Sequence, residues 1–164
     1  MSQFNLGEEL KGAMRKEVLK DYHKMAHNIV FSIEKAIALG FNINISGRLD
    51  GSAESLRVLD EVLSLIYETR SPAHSPISRC LIFPLGAYIG DVIIRELRGK
   101  WVIRKPYHNS SVKIDAGKVS INMMPFHWAH SRLSDEAEEE LLYPHYLLIR
   151  SYLQGNLSQR VGDQ

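Results

Sequence analysis

A single cysteine, Cys80, stands in the 164-residue chain, so no disulfide can close within it. That scarcity excludes a disulfide-stapled scaffold and a multi-cysteine zinc site, and it suits a reducing compartment. An excess of either charge is also lacking: 20 Lys+Arg against 19 Asp+Glu give a formal net charge of +1. Such a balance removes the global field that accompanies non-specific nucleic-acid binding. Nor is there a long hydrophobic run. The most apolar window, Cys80 to Ile94, is interrupted by Pro84 and Asp91, and it falls short of the ~18 apolar residues of a membrane span. The N-terminus carries charges early and has no apolar stretch of the secretory kind. These absences predict a soluble, cytoplasmic protein with no membrane segment.

What is present suffices for a core. Hydrophobic residues make up 45% of the chain and charged residues 24%, which is ordinary globular usage. One domain over residues 1–164 is expected, with 1–9 and 155–164 frayed. From Leu10 to Leu39, Val18, Tyr22, Met25, Ile29, Ile33 and Ile37 recur at helical spacing, and Gly40 offers a C-cap. Residues 41–46 alternate as a short strand. Ser52 is the expected cap of a helix whose stripe is Leu56, Leu59, Val62, Leu63 and Ile66. Ser75 and Pro76 open another helix, which Pro84 is expected to kink or divide and Gly99 to end.

From Trp101 the period changes to two, and a hairpin is expected over about 101–123 around the turn "DAG". Ser134 and the acids from Asp135 to Glu140 suggest a helix start. A helical pattern then continues past a kink or short break at Pro144 and ends at Gly155. The fold class is therefore α+β, with several amphipathic helices packed on a small antiparallel sheet.

Chemistry-bearing patterns are incomplete. His127 and His130 are three apart and His23 and His27 four apart, but no H-E-x-x-H occurs and no metal is expected. No G-x-S-x-G elbow surrounds any serine, and Cys80 lies in an apolar run as a small hydrophobe would. Phosphate-loop and dinucleotide glycine patterns are missing, and no cofactor is expected. Carboxylate pairs such as Asp60 and Glu61 carry no information about a shared cleft. Asp91 differs, being an acid inside an apolar helix, where a buried carboxylate needs donors. A basic and aromatic patch runs through Arg95, Arg98, Lys100, Arg104, Lys105 and His108 around Trp101 and Tyr107. Gly86 and Gly90, one turn apart, suggest close approach of a neighbouring element.

The stretches "SAESLRVLDEVL", "LGAYIGDVIIRELRGKW" and "INMMPFHWAHSRL" follow one another between Leu49 and Leu133. In that order they resemble small bacterial proteins grouped under a domain of unknown function. The resemblance implies no catalytic residues. By analogy with toxin-neutralising proteins of this size, it suggests an immunity-like or adaptor role. Together these readings lead to a non-catalytic domain that binds another protein or itself, with Trp101, Tyr107, Trp128 and Tyr143 as aromatic contacts. The alternative is a small hydrolase or ligand-binding enzyme using Asp91, His127 and His130 in one cleft. A third reading is nucleic-acid binding through the 95–105 patch, which requires Arg95, Arg98, Lys100 and Arg104 to form one exposed stripe.

Overall fold

The computed structural model describes residues 15–29, 45, 47–69, 76–117, 119–134 and 141–158. Helix α1 is seen over residues 15–29, followed by α2 (Ala53–Thr69) and α3 (Pro76–Leu97). Strands β1 (Lys100–Val102), β2 (Ser111–Ala116) and β3 (Val119–Met123) come next, then α4 (Pro125–Arg132) and α5 (Leu142–Ser158). The strands form an antiparallel meander in the order β1-β2-β3, so the fold is α+β as the periodicities require. The helix end at 39–40, the Ser75 cap, the acids at 135–140 and the termini 1–9 and 159–164 lie outside the described residues. So does the strand at 41–46, apart from Ile45, which is buried.

Helix α3 is the centre of the molecule. Residues 85–90 are all buried, so this helix is enclosed on every side over that stretch, whereas α1 and α2 bury one face each. Pro84 neither ends nor divides it: α3 continues through the proline to Leu97. At its C-terminus, Arg98 takes the left-handed conformation (φ 56°), not Gly99. Gly99 serves packing, because a Cβ there would lie 2.5 Å from Val112 Cγ1. In the hairpin, Val112 and Ile114 face the core while Lys113 and Asp115 face outward. Gly117 (φ 72°) supplies the left-handed residue that a two-residue connection between Ala116 and Val119 requires.

The segment leading into α2 is tied to α3 by Tyr88. Its hydroxyl donates to Ser55 Oγ (2.7 Å) and accepts the Gly51 amide (3.0 Å). Burial pushes the Tyr88 phenol above its ordinary range, which keeps it a neutral donor. Asp50 Oδ1 accepts the Ser52 amide (2.9 Å), and Arg95 Nη1 donates to the Asp50 carbonyl (2.8 Å). Tyr88→Phe is expected to cost about 1–2 kcal/mol, because the Gly51 amide and the fully buried Ser55 each lose a partner. Urea denaturation measures it, and an unchanged midpoint would show the bonds to be dispensable.

Candidate functional site

Asp91 has a structural partner set. Its Oδ2 lies 2.7 Å from His23 Nδ1 on α1, and its Oδ1 accepts the Trp101 indole N–H at 3.4 Å. The carboxylate thereby joins α1 to α3 and aims the Trp101 ring. That ring fills the space over Gly90, where a Cβ would overlap Cζ2 and Cη2 and lie 3.1 Å from Cε2. One turn earlier, a Cβ on Gly86 would lie 2.9 Å from Phe126 Cα. The expected close approach at both glycines is thus found, and the approaching groups are aromatic. Trp101 meets Tyr22 at a centroid distance of 4.8 Å and Phe126 at 5.8 Å.

The Tyr22 hydroxyl reaches the Tyr107 carbonyl (3.1 Å) and Ser110 Oγ (3.0 Å), and Ser110 Oγ accepts the Arg104 amide (3.0 Å). The turn bearing Tyr107 and His108 is therefore held against α1. Burial pushes the Tyr22 phenol upward, so it serves as a neutral hydrogen-bonding group.

His127 and His130 line a cleft of about 540 Å³ together with His108, Asn109 and Ser131, over an apolar floor of Ile82, Phe83 and Phe126. Asp91 is not among the described residues of that lining, so the acid and the two histidines of the enzyme reading are not gathered there. Among the described residues, no group of three His, Cys, Asp or Glu side chains could hold a metal ion. No helix of the described residues is long and apolar enough to cross a membrane. Arg95, Arg98, Lys100 and Arg104 are all exposed, but Arg95 is engaged by the Asp50 carbonyl.

The four aromatic contact candidates are placed unequally. Trp101, Trp128 and Tyr143 are partly buried and packed against the core. Trp128 meets His145 with the rings tilted (5.5 Å), and Tyr143 stacks on Tyr146 (6.3 Å). Tyr107 is exposed, at 37%. Packing uses most of the surface that the first three would offer a partner.

The surface that local patterning did not single out is on α5. The helix does not break at Pro144, which sits in its first turn, where a missing amide is tolerated. It also runs through Gly155 to Ser158. Leu142, Tyr146 and Leu153 bury one side. On the other side, Pro144, Leu147, Leu148, Ser151, Tyr152 and Gly155 are exposed and none carries a charge. Leu148 is 69% exposed and Tyr152 54%. The outer face of a surface helix is ordinarily charged, and this chain is 24% charged overall. Helical spacing of these residues was legible, but Gly155 read as a terminator hid the length of the stripe. No protein-family model matches the chain, and no curated protein or solved structure matches it either.

Proposed function

We propose that this protein is a non-catalytic binding domain and that it docks a protein partner on the outer face of α5. The observation that carries this reading is the uncharged stripe from Pro144 to Gly155, exposed along more than two helical turns. Two further features support it. Asp91 stands apart from the cleft that His127 and His130 share, and is engaged by His23 and Trp101. The large aromatics elsewhere are mostly committed to the core.

Leu148→Asp tests it with little risk to folding, because the side chain is mostly in water. The variant is expected to lose partner affinity by about thirtyfold, the scale of a central contact residue, with an unchanged circular dichroism spectrum. The same comparison with Tyr152→Ala is expected to go in the same direction. Should both variants retain every partner that the wild type retains in quantitative pull-downs, the α5 face is not the binding surface.

A further inference from the structure

We infer that the cleft between α4 and the turn Tyr107–Asn109 is a binding site for a small molecule with a flat apolar body and a single carboxylate head. The inference is independent of the α5 face. Floor and rim of this cleft differ in chemistry. Ile82, Phe83 and Phe126 make the floor. Phe126 is 1% exposed, but Phe83, whose ring meets it at 5.6 Å, is 41% exposed. An aromatic side chain left open in a concave site of about 540 Å³ is suited to covering an apolar ligand body. A flat body packs on such a ring best.

The rim is polar. His108 and Asn109 come from the turn, and His127, His130 and Ser131 from α4. Among the described lining residues there is no carboxylate, so a cationic ligand would find no counter-ion. There is also no lysine or arginine, the partners that a doubly charged phosphate favours. Three imidazoles, an amide and a hydroxyl all carry groups that can donate. An imidazole donates through one nitrogen when neutral and through both when charged, so the rim suits a singly charged acceptor in either form. His127 and His130 stand three apart on α4 and are therefore neighbours on one face.

Both walls are held before any ligand arrives. The Tyr22 hydroxyl reaches the Tyr107 carbonyl and Ser110 Oγ, and the Asn109 and Ser110 amides donate to the Pro106 and Tyr107 carbonyls. Helix α4 is fixed at its end by Arg132, which donates to Asp60 and Ser64, and at its start by Phe126 lying against Gly86. Groups that need no ordering lose less on binding.

A heteronuclear NMR titration of the full chain with benzoate, and with the neutral benzamide, tests the inference. Benzoate is expected to bind with a dissociation constant of about 1 mM, within reach of so small a ligand. Benzamide should bind about tenfold more weakly, the scale of a charge-assisted hydrogen bond. Phe83→Ala is expected to weaken both ligands about fivefold, through lost apolar contact. The double variant His127→Ala, His130→Ala should weaken benzoate about tenfold and leave benzamide nearly unchanged. All three side chains are exposed, so the variants should keep the native circular dichroism spectrum.

Absence of saturable benzoate binding well above that concentration overturns the site. Benzamide binding as tightly as benzoate overturns the carboxylate head. Benzoate affinity unchanged in the histidine variant removes the rim from recognition, and affinity unchanged in Phe83→Ala removes the floor. None of these results bears on the α5 face, which stands or falls by Leu148→Asp.

Discussion

Asp60→Ala is expected to lower stability by about 3–5 kcal/mol, the scale for breaking a buried ion pair from one side. Asp60 is 7% exposed and Arg132 2%. Arg132 Nε donates to Asp60 Oδ1 (3.1 Å), and Arg132 Nη2 donates to the Asp60 carbonyl (2.9 Å) and to Ser64 Oγ (2.7 Å). The same carboxylate accepts the amides of Leu142 (2.9 Å) and Tyr143 (2.8 Å). It is therefore at once the counter-ion of a buried guanidinium and the acceptor for the first amides of α5, which have no partner inside their own helix.

Alanine removes both roles. Replacing the pair with apolar residues is often harmless when only two charges are involved. Here an Asp60→Leu, Arg132→Met double variant should remain destabilised, because the α5 amides stay without an acceptor. Arg132→Met alone should cost less than Asp60→Ala. Urea denaturation of the three variants measures this. A double variant as stable as wild type would show that the carboxylate contributes nothing to starting α5.

Gly90→Leu is the second large effect. On a helix surface, replacing glycine gains up to about 1 kcal/mol of helix propensity. At Gly90 that gain is outweighed, because even the first side-chain carbon overlaps the Trp101 benzo ring. Overpacking costs about 1–3 kcal/mol for modest insertions, and the leucine must also displace the indole from Asp91. Gly90→Ala should already be destabilising, whereas Gly90→Ala combined with Trp101→Phe should recover most of the loss, since the colliding ring atoms are gone. Thermal unfolding followed by circular dichroism checks both. Full stability of Gly90→Leu would refute the packing account.

The contrast between these two sites shows what one chain reveals. The Gly86–Gly90 spacing and the period change after Gly99 are local, so α3, the hairpin and the close approach were all legible. Asp60 stands four residues after Leu56 and three before Leu63, on the buried face of α2. That placement signals a carboxylate in need of a partner. Its partner is 72 residues away, and no periodicity names it. Asp91 is the same case, answered by His23 from 68 residues upstream. Pro84, Pro144 and Gly155 misled because each was weighed as a breaker by local propensity. Burial around α3, and the position of Pro144 within the first turn, override that propensity.

One consequence follows from the double role of Asp60. Arg132 and Leu142 both bond to its Oδ1, so the chain departs from this carboxylate and comes back to it. Since the closing entropy of a loop grows only slowly with its length, a guest sequence spliced between 135 and 140 would meet two ends that the host already holds together.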